Sequence, residues 1–318
     1  MHSRLAAIPG LSILENAPLS AYTRFEVGGP ARVLADASTE QALASAVRVI
    51  EDTGVPSTII GGGTNLVVSD NGFPGVVLRY TNAALEIEGT SVNAAAGALL
   101  QHVVDAAIAN GLRGLETMTG IPGWVGGAHY GNAGAYGRSV HELVQSVRFF
   151  NGARVCEIDN TACEFHYRDS VFKRRKDWIV LSATLRLDSA DPAELRATAE
   201  GILKIRNEKY PPTMRCAGSI FKNLLWDRLP APVRSRIPER LVREGKVPSA
   251  YFLEQAGAKG MTNGGVRVAD YHANLIYNQG GGGARQVSEL IDVLKRRVRE
   301  QCGVELEEEV QFVPSRTE

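Results

Sequence analysis

The sequence predicts an α+β protein built in three consecutive parts, and three observations carry that reading. Segments with apolar residues at helical spacing are interspersed with short apolar runs of strand length. Two glycine-rich stretches interrupt them, at 61–65 and 114–137. After a long helical pattern, Pro211-Pro212 breaks the chain and marks a domain boundary near Tyr210. The 318 residues, 44% of them apolar, suffice for two or three cores, and the boundaries fall at 1–83, 84–208 and 209–318.

Met1 to Tyr22 is of mixed character and reads as a peripheral lead-in. Ser38 then starts a helix: with Gln41 it makes a capping-box pattern, Leu43, Val47 and Ile50 form the apolar stripe, and Gly54 stops it. A strand at Ser57–Ile60 delivers the first glycine loop, and Val76–Tyr80 follows a Gly-Phe-Pro-Gly turn. Leu85–Glu88 and Ser91–Ala96 alternate around Gly89-Thr90 as a hairpin. A helix over Leu99–Asn110, striped by Leu100, Val103, Val104, Ala107 and Ile108, ends at Gly111. Strands at Leu143–Phe150, Arg154–Ile158 and Trp178–Leu187 make the second part rich in sheet. Asp191-Pro192-Ala193-Glu194 combines a cap, proline at the first helical position and an early acid, and opens a helix to about Glu208. In the third part, Val287, Leu290, Ile291, Leu294 and Val298 stripe a helix over Val287–Gln301; Gly303 caps it, and a strand is expected over Val304–Val313.

The two glycine stretches carry the functional signal. Eight of the 24 residues from Gly114 to Gly137 are glycine, a composition suited to backbone at positive φ lying flush against a flat, charged ligand. It argues against a helix or a strand interior. The other stretch, Ile59-Ile60-Gly61-Gly62-Gly63-Thr64-Asn65-Leu66, has the makings of a concave anion site of consecutive backbone N–H groups. No Gly-Lys-Ser/Thr follows, so it is not a Walker A loop, and Leu66 occupies the last position of Gly-x-Gly-x-x-Gly.

Composition narrows the partners. Lys+Arg and Asp+Glu balance at 35 each, so no basic surface argues for nucleic acid. The four cysteines, Cys156, Cys163, Cys216 and Cys302, have no zinc-like spacing and read as reduced thiols with no metal. With neither a leader pattern nor an apolar run of membrane-spanning length, the expectation is a soluble cytoplasmic protein.

In order and spacing, Thr23-Arg-Phe-Glu-Val-Gly-Gly-Pro-Ala31, Gly61-Gly-Gly-Thr-Asn65, Gly120-Ile-Pro-Gly-Trp-Val-Gly-Gly127 and Asn132-Ala-Gly-Ala-Tyr-Gly137 resemble the UDP-N-acetylenolpyruvoylglucosamine reductase family of bacterial peptidoglycan synthesis. The resemblance runs from about Thr23 to Phe312. It implies the FAD-binding fold of vanillyl-alcohol-oxidase-type enzymes: two α+β subdomains, 1–83 and 84–208, grip non-covalent FAD, and an α+β domain, 209–318, covers the substrate. Flavin contacts are implied for Gly61, Gly62, Gly63, Thr64, Asn65 and Leu66, for Gly120, Ile121, Pro122, Gly123, Val125, Gly126 and Gly127, and for Asn132, Ala133 and Gly134.

Tyr167-Arg168-Asp169-Ser170-Val171-Phe172-Lys173 resembles the motif that carries the family's catalytic arginine, here Arg168, which would clamp the enolpyruvyl carboxylate. From charge alone this is an exposed basic cluster, since Arg174, Arg175 and Lys176 follow. Gly218-Ser219-Ile-Phe-Lys222-Asn223 resembles the motif of the proton-donating serine, with Lys222 and Asn223 as substrate contacts. In Glu307-Glu308-Glu309-Val310-Gln311 the register leaves the third catalytic acid open among three glutamates; aligned with the family's Glu-Val-Arg, it is Glu309, with Gln311 in place of the arginine. Gly257-Ala-Lys259-Gly and His272-Ala-Asn-Leu-Ile-Tyr-Asn278 resemble further signatures, implying that Lys259 faces the diphosphate and that His272 contacts ligand. Leu224 stands for the family's proline and Tyr210-Pro211 for its Gln-Pro; the 51-residue interval from Arg168 to Ser219 is that of the shorter branch, without a tyrosine-bearing loop.

The implied activity is that of a UDP-N-acetylmuramate dehydrogenase. NADPH reduces FAD, then hydride passes from flavin N5 to C3 of the enolpyruvyl group of UDP-N-acetylglucosamine enolpyruvate while Ser219 protonates C2. Two rivals stay open. An oxidase of the same fold acting on an alcohol or sugar would often attach its flavin through histidine or cysteine, and His129 is the histidine near the glycine loops. A nucleotide-binding regulator would need the loops without Arg168, Ser219 and Glu309.

Overall fold

Two sheets organise the first of two compact units, which takes in Met1–Ala17, Ala31–Gly62 and Pro74–Pro211 of a computed structural model describing residues 1–314. A four-stranded sheet runs in the order Leu11–Pro18, Pro30–Ala37, Phe73–Tyr80, Ser57–Ile59, with Ser57–Ile59 parallel to its neighbour. Val76, Val77 and Leu78 are wholly buried, as expected of an inner strand covered on both faces. A five-stranded antiparallel sheet runs Val155–Asp159, Val144–Phe150, Ile179–Arg186, Ser91–Ala95, Leu85–Glu88. Its two edge strands alternate between half-buried and exposed positions, and its central strand is buried without a break from Ile179 to Ala183. Helices Glu40–Thr53 and Leu100–Ala109 add Leu43, Ala46, Val103 and Val104 to one core with Val147, Phe149 and Phe172. Trp178 stacks on Phe149 with ring centroids 4.2 Å apart, closing that core at its edge.

The second unit gathers Pro18–Pro30, Gly63–Phe73 and the chain from Pro212 onward, so the first glycine loop is divided between the units at Gly62/Gly63. Its sheet orders Cys216–Ser219, Leu275–Asn278, Val266–Val268 and Thr262–Asn263, all antiparallel. Helix Ala284–Cys302 buries the expected stripe of Val287, Leu290, Ile291, Leu294 and Val298 and ends on Gly303 at φ +69°. Its N-terminus is held from a distant segment: the Asp70 carboxylate accepts from Ala284 N–H at 2.7 Å and from Arg285 N–H at 2.9 Å.

Four details differ from the sequence reading. The opening segment contains a helix, His2–Ala6, and an edge strand, Leu11–Pro18. The cap of the first long helix is Thr39, which accepts from Ala42 N–H at 3.1 Å, because the Ser38 hydroxyl is spent on the Gly10 carbonyl at 2.9 Å. The long glycine stretch does contain a helix, Val125–Tyr130, with Gly126 and Gly127 inside it. Tertiary packing overrides propensity there, since a side chain at Gly126 would collide with Ala96. Finally, the expected strand over Val304–Val313 is regular only at Gln311–Val313, because the chain changes partner on the way.

Candidate active site

Within the first unit the two glycine loops meet. An added Cβ on Gly62 would lie 3.0 Å from Cδ1 of Trp124, the residue that opens the short helix of the second loop. That helix is seated on the start of helix Leu100–Ala109: Val125 N–H donates to Ala98 at 2.9 Å, Gly126 N–H to Ala96 at 2.9 Å, and Leu100 N–H to Gly123 at 3.0 Å. A Cβ on Gly126 would stand 2.9 Å from the Ala96 methyl, which accounts for glycine there. Gly127, one residue on, has nothing within 4 Å of an added Cβ. The loop therefore presents bare backbone on one side and packs against protein on the other. In the second unit, Gly63 takes φ +66° and an added Cβ would meet the Tyr22 carbonyl oxygen at 1.8 Å, so no other residue fits.

Arg168 sits in the left-handed region at φ +56°, an uncommon conformation for a residue with a long side chain. The turn that imposes it is closed by His166 N–H to Asp169 at 3.0 Å and Asp169 N–H to His166 at 3.2 Å. Three more bonds hold it. The Asn132 amide donates to the His166 carbonyl at 2.8 Å, Lys173 Nζ donates to the Arg168 carbonyl at 3.0 Å, and the Arg168 guanidinium donates to the Gly134 carbonyl at 3.0 Å. The structure thus joins Asn132 and Gly134 of the long glycine loop to Arg168. The cations that follow are committed elsewhere: Arg174 pairs with Asp169 and Glu164, and Arg175 with Asp177.

In the second unit, Ser219 ends a strand whose pairing slips between Cys216 and Ser219, an irregularity that re-aims side chains. Asn274 brackets the residues after it: Ile220 N–H donates to the Asn274 carbonyl at 3.2 Å, Phe221 N–H to its Oδ1 at 2.9 Å, and its Nδ2 donates to the Phe221 carbonyl at 2.8 Å. Asn223 Oδ1 accepts from Ser249 N–H at 3.4 Å. Lys222 Nζ pairs with Glu307 at 2.5 Å, Lys295 with Glu308 at 2.9 Å, and Arg299 with Glu305. Glu309 is anchored through its main chain, its N–H donating to Ile220 at 2.7 Å. Lys259 lies at the surface with Glu254 at 2.9 Å, and His272 Nδ1 accepts from Asn274 N–H at 3.2 Å.

The residues present fit the flavin that the resemblance implies. Besides the open face at Gly127, the hydroxyls of Thr117 and Thr119, just ahead of Gly120, are buried without a hydrogen-bond partner among the described residues. A polar ligand at the loop would satisfy them. Sequence reading gave no role to these threonines, to Trp124 or to Asn274, although Trp124 and Asn274 lie inside the motifs at 120–127 and 272–278. His129, 1% exposed, turns into the core, where Nδ1–H donates to Val125 at 2.8 Å and Nε2 is buried without a partner among the described residues. Burial lowers its pKa below 6.5. A histidine depressed in the folded state contributes stability that is full above its unfolded pKa and is lost as pH falls below it. The urea midpoint of the protein is therefore expected to drop more steeply from about pH 7 to 5 than that of a His129→Leu variant.

Residues 31–154 match an FAD binding domain family, and residues 210–313 match the UDP-N-acetylenolpyruvoylglucosamine reductase C-terminal domain. A UDP-N-acetylenolpyruvoylglucosamine reductase of Solibacter usitatus is 56% identical over 310 residues, covering 98% of this chain and 99% of that protein. Its counterpart from Bacillus subtilis is 34% identical over 304 residues, covering 95% and 94%. Among solved structures, UDP-N-acetylenolpyruvylglucosamine reductase from Thermus caldophilus superposes with a TM-score of 0.74 at 27% identity, covering 95% of this chain and 98% of that one. Among the described residues no helix is long and apolar enough to cross a membrane, and no group of three or more histidine, cysteine or acidic side chains is arranged to hold a metal.

Proposed function

Because the chain belongs to the UDP-N-acetylenolpyruvoylglucosamine reductase family, we propose that it reduces UDP-N-acetylglucosamine enolpyruvate to UDP-N-acetylmuramate with FAD and NADPH, in peptidoglycan synthesis. When bound, FAD supplies the redox chemistry: it accepts hydride from NADPH and delivers it to C3 of the enolpyruvyl double bond. The glycine loops and the flanking Thr117 and Thr119 would hold it without a covalent bond, a reading favoured by the burial of His129. In functional terms 1–83 and 84–208 carry the cofactor and 209–318 the substrate.

The observation that carries the site assignment is the left-handed backbone at Arg168, held by bonds from the cofactor loop and from Lys173. Strain of this kind persists where the surroundings over-determine it and clusters at functional sites. Arg168 binds the substrate carboxylate, and its permanent charge stabilises the negative charge that develops beside it. Ser219 gives its hydroxyl proton to C2, and Glu309 helps to stabilise the enol form. Lys222, Asn223, Lys259 and His272 contact the nucleotide-sugar. NADPH and UDP-linked sugars are cytoplasmic metabolites, which favours that location.

The test is steady-state NADPH oxidation with and without the enolpyruvyl substrate, together with Arg168→Lys. That variant keeps the charge and loses the planar fork, so turnover is expected to fall by roughly 10²-fold while reduction of the flavin by NADPH survives. Equal loss of both half-reactions would move Arg168 from substrate binding to the fold.

A further inference from the structure

We propose that Asn65 is a positioning residue for Glu309, so that the loop ending the first glycine run also sets the geometry of the acid. The proposal rests on the reading of Glu309 as a catalytic residue given above. Residues 307–309 run beside 220–222: Lys222 N–H donates to Glu307 at 2.9 Å, Phe221 bridges Glu308, and Glu309 N–H donates to Ile220 at 2.7 Å. Two residues later the chain has a different neighbour, with Gln311, Phe312 and Val313 parallel to Leu66, Val67 and Val68. Glu309 and Val310 form the change-over. A carbonyl at such a point loses the regular ladder that would satisfy it, and a side chain commonly takes over.

Here the side chain is Asn65. Its Nδ2 donates to the Glu309 carbonyl at 2.9 Å, and its own carbonyl accepts from Gln311 N–H at 2.9 Å. Asn65 thus grips both sides of Val310, and with Ile220 on the Glu309 N–H the peptide groups flanking Glu309 are fixed. The Gln311 amide adds a weaker donor to the same carbonyl at 3.3 Å. Since Ile220 follows Ser219, the arrangement registers Glu309 against the serine motif. The main chain on either side of Glu309 is thus held from two directions, by Ile220 and by Asn65.

Asn65→Ala removes the donor and leaves the backbone carbonyl. The thermal midpoint is expected to stay within a few degrees of wild type, and reoxidation of the flavin by substrate, measured per FAD bound because the resemblance also makes Asn65 a flavin contact, is expected to slow roughly tenfold. In a Glu309→Gln background the same change should alter the rate less than about twofold, because groups acting as a unit are not additive. Asn65→Asp, nearly isosteric but without the donor, should behave like alanine and serves if the alanine variant fails to fold. Wild-type reoxidation per bound flavin in both Asn65 variants, or full additivity with Glu309→Gln, would each overturn the proposal. Glu309→Gln at the wild-type rate would instead remove the catalytic reading of Glu309, and the proposal with it.

Discussion

Ser219→Ala is expected to leave FAD bound and reducible by NADPH while the reaction with the enolpyruvyl substrate slows by roughly 10²-fold or more, the scale of a positioned proton donor. The fold should tolerate the change, because the backbone around Ser219 is held by other groups: strand pairing opposite Leu275 and the brackets from Asn274 onto Ile220 and Phe221. Ser219→Cys is expected to regain part of the rate, since a thiol also carries a transferable proton. Stopped-flow reoxidation of the reduced flavin measures both. An alanine variant that reoxidises at the wild-type rate would take Ser219 out of the mechanism and make Glu309 or water the proton source.

Gly126→Val should yield protein without stoichiometric flavin. The new side chain starts 2.9 Å from the Ala96 methyl, so the short helix Val125–Tyr130 must lift off its seat, and overpacking of this kind costs about 1–3 kcal/mol. Gly62→Val should act in the same direction through Trp124. Gly127→Ala separates cofactor binding from folding. Its backbone is helical and, beyond its own helix and chain neighbours, no described residue lies within 4 Å of an added Cβ, so the apo variant should melt at or slightly above the wild-type temperature. If the bare face at Gly127 is where the ligand lies, FAD should nevertheless bind roughly tenfold more weakly, read by flavin fluorescence on titration. Retention of flavin by the valine and alanine variants alike would reassign the loop.

Local rules carried much of the architecture. The stripe from Val287 to Val298, the hairpin around Gly89-Thr90, the Asp191-Pro192 helix start and the caps at Gly54 and Gly303 depend on periodicity and terminal chemistry within a few residues, and all are found. Motif order likewise identified the family and its cofactor. Where two neighbours could do the same job, local rules could not choose: Thr39 rather than Ser38 caps its helix because Gly10, 28 residues away in sequence from Ser38, claims the serine. The helix inside the glycine stretch follows from the surface offered by Ala96 and Ala98, which no count of glycines contains.

Tertiary structure alone decided the company each site residue keeps. Asp70 reaches a helix end 214 residues on, and Asn65 reaches Glu309 across 244. Sequence left the third catalytic acid open among three neighbouring glutamates; the fold gives Glu307 and Glu308 each its own cation and ties the Glu309 main chain to Ile220 and Asn65. The left-handed turn at Arg168 is closed locally by His166 and Asp169, but its ties to Asn132 and Gly134 cross 34 residues of sequence. The sequence by itself determined which chemical groups are present and the elements that carry them, because propensity, capping and spacing act over a few residues. Which carbonyl each amide meets, and which charge each acid answers, depended on packing between segments far apart in the chain, where hydrogen bonds and steric contact act only after the fold has brought them together.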